Sequence, residues 1–171
     1  ALFTVDEEAG MTGAHELKKN WLQGEILMNL DTEDDDELSI GCAGGVDTNI
    51  NWSYTEDKLE GNYAGLKIML GGLKGGHSGM DIIFGRGNAN KIMNRLLLEG
   101  SDKFDLRIAS IDGGGLRNAI PRESAAVIAI AANEAGDFRK YFDEATDAIA
   151  KEFATTDPDL NFKISEADLP A

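Results

Sequence analysis

The run Asn88-Ala89-Asn90-Lys91-Ile92-Met93-Asn94-Arg95-Leu96-Leu97-Leu98-Glu99-Gly100 spells an amphipathic helix. Asn88 suits the N-cap, Ala89, Ile92, Met93, Leu96 and Leu97 recur at the 3.6-residue period, and Gly100 supplies a stop. Before it, Leu66, Ile68 and Leu70 alternate at period two, as a half-buried strand does; after it, Phe104, Leu106 and Ile108 do the same. Ala125 to Ala132 is apolar on both faces, which predicts a central strand covered on at least one side. Asp137 is the expected cap of a second helix, with Phe138, Tyr141, Phe142, Ala145, Ile149 and Phe153 on one stripe. Phe162 and Ile164 mark a final strand. The order over residues 61–166 is β-α-β-β-α-β, the split βαβ or ferredoxin-like arrangement of the α/β (α+β) class. Two helices are expected to cover one face of a four-stranded antiparallel sheet, leaving the other to water or a partner.

Residues 1–60 read as mixed elements. A strand is expected over Ala1 to Val5, a short helix around Thr12 to Lys19, and a second apolar run over Ile26 to Leu30 that ends at Asp31. Strand-like segments follow at Leu38 to Cys42 and Ile50 to Tyr54. The chain opens without Met inside a strand-like run, which reads as a piece of a longer protein.

Composition narrows the functional classes. At 171 residues the chain can bury a real core. Its 31 acidic against 16 basic residues give a formal charge of −15, which repels phosphate backbones and anionic lipid. No nucleic acid and no membrane partner is expected. The single cysteine, Cys42, rules out an internal disulfide framework and fits a reducing, cytoplasmic setting. No apolar run approaches the roughly 20 residues of a membrane span.

Chemistry is concentrated in a few places. Asp6-Glu7-Glu8 puts three carboxylates at the end of the first apolar run, where like charges repel unless cations or a held proton relieve them. Glu7 and Glu8 point to opposite sides of an extended chain, so one can ligate a metal while its neighbour acts as a general base. Asp31 ends the next run and can converge on the same edge. Two carboxylates leave a metal shell incomplete. The acidic run from Asp31 to Glu37 fails as an EF-hand loop, because Asp36 and Cys42 stand where Gly and Glu are required. Gly71 to Gly76 has the outer glycines of a Walker A loop, but His77 replaces its Lys. Gly85-Arg86-Gly87-Asn88-Ala89-Asn90 lacks the last Gly of a dinucleotide fingerprint. In Gly75-Gly76-His77-Ser78-Gly79, small residues let a ligand approach an imidazole that can hydrogen-bond an oxyanion. In Asp112 to Pro121, Asn118 can bind a carboxylate or amide and Arg117 can supply charge. His15 is read as surface or packing.

These segments together resemble the co-catalytic zinc exopeptidases of carboxypeptidase, aminoacylase and carnosinase type, and most of all the bacterial aminoacyl-histidine (Xaa-His) dipeptidases. The likeness is carried by Phe3 to Ala14, Asn29 to Glu33, Gly41 to Gly45, Gly72 to Gly79 and Asn118 to Glu123, in the right order. It implies a hydrolase in which Glu7 is the general base, Glu8 binds one zinc and Asp31 the other. Two Zn²⁺, or Mn²⁺ or Co²⁺ in their place, then activate a shared water. It implies that His77 reaches the partner subunit's active site to stabilise the tetrahedral intermediate, and that Asn118 contacts the carboxylate end of a dipeptide substrate. Residues 1–60 then belong to a partial catalytic domain, 61–166 to a ferredoxin-like lid through which a homodimer forms, and 167–171 to the return. The family's remaining metal ligands, a His and a bridging Asp upstream and a His downstream, have no counterpart here. Ala131-Ala132-Asn133 stand where some relatives carry an Arg. The fragment alone is therefore expected to lack peptidase activity and not to retain zinc. The competing expectation is a non-catalytic ferredoxin-like dimerisation or binding module, indifferent to metal.

Overall fold

The computed structural model describes residues 1–31, 35–41, 44, 46 and 48–169. Thr32, Glu33 and Asp34 of the acidic run, and Cys42, Ala43 and Gly45 of the glycine motif, lie outside the described residues, as does the end of the 167–171 return. The chain forms two compact units, residues 1–53 and 54–171.

The second unit holds the sheet. Its strands are β1 (Tyr63–Gly71), β2 (Gly76–His77), β3 (Leu106–Gly113), β4 (Ala119–Ile120), β5 (Ser124–Ala131) and β6 (Asn161–Glu166), with helices α2 (Ala89–Ser101) and α3 (Ala135–Glu152). The four long strands form one sheet in the order β3-β5-β1-β6, every pair antiparallel. That is the ferredoxin-like order expected from the hydrophobic pattern. Register aligns the apolar positions: Leu66 lies opposite Ile128, Ile68 opposite Ala126 and Ile164, and Leu70 opposite Phe162.

The core lies on one sheet face. Leu66, Ile68, Leu70, Ile128 and Ile130 pack with Met93 and Leu96 of α2 and Phe138 and Phe142 of α3. Phe104, Phe138 and Tyr141 form an aromatic triad with ring centroids 5.5–5.8 Å apart, within the range such rings favour. On the opposite face Lys67, Met69 and Lys163 are exposed.

Several boundaries depart from expectation. The Asn88 side chain does accept from the Lys91 N–H, but Gly100 lies inside α2 rather than after it, against Leu106, Phe138 and Tyr141. The second helix starts at Ala135, not at a capping Asp137. Asp137 instead sits in the first turn and pairs with Lys140 at 2.9 Å, where a carboxylate meets the positive end of the helix dipole. Phe104 precedes β3, and a bulge between Ile108 and Ser110 breaks its alternation.

The first unit contains one short helix, α1 (Thr12–His15), and no strand among its described residues. None of them is buried; Phe3, Ile26, Leu30 and Trp52 are all exposed. The runs Ala1–Val5 and Ile26–Leu30 have strand composition, but a strand needs a partner for its N–H and C=O groups, and no described segment pairs with them.

Candidate functional site

The carboxylates of the first unit sit on a folded-back turn rather than a strand tip. The N–H groups of Gly10 and Met11 both donate to the Asp6 carbonyl, at 3.1 and 2.6 Å, and the Gly13 N–H donates to Val5 O at 3.2 Å. Asp6 (φ 61°) and Met11 (φ 59°) are both left-handed, a costly conformation for a residue with a side chain. The return stroke passes so close that a Cβ on Gly13 would lie 2.6 Å from Val5 N. Glu7 and Glu8 occupy the exposed turn between these points. Asp31 is also exposed, its N–H donating to Asn29 Oδ1 at 3.1 Å in an Asx turn.

No group of three His, Cys, Asp or Glu side chains among the described residues is arranged to hold a metal ion. Glu8 and Asp31 provide two carboxylates, short of the roughly four donors a zinc ion takes. The residues present do not by themselves fit a zinc centre.

The second unit brings His77 and Asn118 together. β2 pairs with β4, placing His77 opposite Ala119 and Gly76 opposite Ile120, and the Ser78 N–H donates to Asn118 O at 2.8 Å. The imidazole of His77 is exposed, but its Nδ1 is not idle: it accepts from the Gly79 and Met80 N–H groups at 3.1 and 3.2 Å. Two donors converging on one ring nitrogen require a lone pair there, so the ring proton resides on Nε2.

The loop bearing His77 is fastened at its base. Asp157, on the connection between α3 and β6, is buried, and its Oδ1 and Oδ2 accept the Lys74 and Gly87 N–H groups, each at 2.8 Å. Burial pushes this carboxyl up, but the Gly87 and Lys74 N–H donors, with the Thr156 hydroxyl and the Lys74 charge, outweigh it and hold the pKa below the ordinary value. Within the loop the Asp81 carboxylate accepts the His77 N–H at 2.7 Å and lies 3.6 Å from Arg86. Arg86 Nη1 donates to Gly75 O at 2.6 Å. Sequence reasoning missed Asp81, Arg86 and Asp157. Asp81 follows His77 by four residues across a Gly, a spacing that suits a turn, whereas a buried Asp just before Pro158 leaves no periodic signal.

The peptidase dimerisation domain model matches residues 68–157. The chain belongs to that family. Over 159 residues this dimerisation-domain chain is 42% identical to the cytosol non-specific dipeptidase of Escherichia coli (strain K12), an alignment covering 93% of the chain and 33% of that protein. The crystal structure of an aminoacylhistidine dipeptidase from Vibrio alginolyticus superposes with a TM-score of 0.77 at 37% identity, over 98% of the chain and 34% of that structure. The chain thus spans about a third of the length of the relatives it matches. No helix among the described residues is long and apolar enough to cross a membrane.

Proposed function

We propose that the chain serves in a cytoplasmic, metal-dependent dipeptidase that cleaves Xaa-His dipeptides. Residues 1–60 would contribute to its catalytic domain, residues 61–166 form the lid through which it homodimerises, and residues 167–171 lead back. The observation that carries this is the 42% identity to a cytosol non-specific dipeptidase over 93% of the chain, with 37% identity to an aminoacylhistidine dipeptidase over 98% of it. In this reading Glu7 takes the proton of the attacking water and returns it to the leaving amine. Glu8 and Asp31 each lend a carboxylate to a zinc centre, or one of manganese or cobalt, completed by ligands beyond the described residues. His77 donates to the oxyanion and Asn118 binds the substrate's carboxylate end.

The test is hydrolysis of Xaa-His dipeptides by the full-length protein with and without chelator. Activity should vanish on chelation and fall steeply in Glu7→Gln; full activity in Glu7→Gln removes the assigned base. A second reading, a dimerisation module without chemistry of its own, is favoured by the absence of a three-ligand metal group among the described residues. Light scattering after size exclusion addresses the shared expectation of a dimer, and a strict monomer at high concentration counts against both.

A further inference from the structure

The main chain and ring of His77 are bound on every side but one. Its N–H goes to the Asp81 carboxylate, its C=O accepts the Asp81 N–H at 3.0 Å, and its Nδ1 accepts from Gly79 and Met80. Among the described residues, the only polar atom of His77 left for a ligand is Nε2–H. Asp81 thus binds His77 through both its backbone and its side chain, and Arg86 ties Asp81 to the Gly75 carbonyl on the other flank. Arg86 is itself seated over the Phe84 ring, 5.0 Å from its centroid.

We infer that Asp81, braced by Arg86, is a positioning residue that presents His77 to the substrate as an Nε2–H donor. The consequence for catalysis rests on the proposed role of His77 at the oxyanion; the ring geometry does not. A donor fixed in advance loses little freedom on meeting its acceptor, whereas a free imidazole divides between two tautomers and several rotamers. Asp81 never touches the substrate in this scheme.

Nitrogen-15 NMR of the imidazole reads the tautomer directly. The chain has two histidines, His15 and His77, so His15→Gln leaves His77 as the sole ring signal. Under mildly alkaline conditions the parent should show an unprotonated Nδ1 and a protonated Nε2. Asp81→Ala should shift both nitrogens toward the averaged values of a free imidazole, while the amide signals of Ile128 and Phe138 report an intact core. Asp81→Asn, which keeps an oxygen for the His77 N–H, should fall between. An averaged ring in the parent, or an unchanged ring in Asp81→Ala, overturns the inference. In the full-length protein, Asp81→Ala should lower kcat by up to about a hundredfold with KM little changed, as expected when a reacting group is misplaced. If His77→Ala leaves kcat untouched while Asp81→Ala still releases the ring, the catalytic reading of His77 falls and the positioning role stands. If His77→Ala lowers kcat but Asp81→Ala changes neither kcat nor the ring, the positioning role falls and the catalytic reading stands.

Discussion

The Asp157 carboxylate accepts the Gly87 N–H at 2.8 Å from a residue seventy positions earlier in the chain. Its other oxygen takes the Lys74 N–H at the same distance. One buried side chain therefore closes the base of the segment that carries His77 and ties it to the connection between α3 and β6 within the same unit.

Removing that carboxylate leaves two backbone donors without a partner. Asp157→Ala should cost about 2–6 kcal/mol, at roughly 1–3 kcal/mol for each orphaned donor, read as a lower urea midpoint. Asp157→Asn, with one oxygen remaining, should lose less. The folded-state pKa is held below the ordinary 3.8, so this stabilisation is present above that value and disappears as pH falls through the depressed one. The acid limb of the parent's stability curve should be steeper than that of Asp157→Asn. Parallel limbs would contradict the assigned role.

Phe138 is fully buried and meets Phe104 edge-on at 5.5 Å. Phe138→Ala should cost about 3–5 kcal/mol, the transfer loss plus the cavity. Phe138→Leu should cost clearly less. Equal losses in the two variants would mean that the volume Leu restores contributes nothing and that the contacts of the aromatic ring carry the whole loss.

These aromatic and aliphatic contacts are also where the sequence spoke plainly. Ile92, Met93, Leu96 and Leu97 recur at helical spacing, and Leu66, Ile68 and Leu70 alternate, because each lies on the one buried face of its element. Long-range polar choices leave no such rhythm. Asp157 looks like any turn residue before a proline, and Glu134, which takes the Asp105 N–H at 2.9 Å, gave no sign that α3 begins beside it. The segments at Ala1–Val5 and Ile26–Leu30 were misjudged for a different reason: strand propensity is realised only when another strand supplies the ladder. The glycine-rich flanks of His77 and Asn118 mark both as loop segments in the sequence, but the donors that fix the His77 ring are main-chain N–H groups, which no sequence pattern displays.

Tyr141 donates its hydroxyl to Leu96 O at 2.8 Å, joining α3 to α2. Burial, with the Glu99 charge adding to it, pushes its pKa up to about 12. Because the folded-state value is raised, the associated stability is complete below the ordinary 10.0 and is lost as pH climbs toward 12. In an ultraviolet titration of the three tyrosines, Tyr141→Phe should remove a component that ionises late. The same substitution should cost about 1 kcal/mol near neutral pH, the net worth of a typical hydrogen bond. An unchanged late component would place the high pKa on another ring.

Gly76 sits at φ +139°, where a side chain is strained whatever the space around it, and an added Cβ would run into the Asp81 carboxylate and lie 2.6 Å from Arg86 Nη1. Gly76→Ala should therefore cost about 1–3 kcal/mol in backbone strain alone and push apart the pair that holds His77. Gly115 offers the matched control, with nothing within 4 Å of an added Cβ and no positive φ. Gly115→Ala should leave stability unchanged or raise it by about 0.4–1 kcal/mol through the unfolded chain. The two variants carry the same atom change in the same unit, so loss of stability in Gly76→Ala alone would isolate the crowding beneath His77. Equal behaviour would show that the loop rearranges freely, and a loop that rearranges freely cannot hold an imidazole in one orientation.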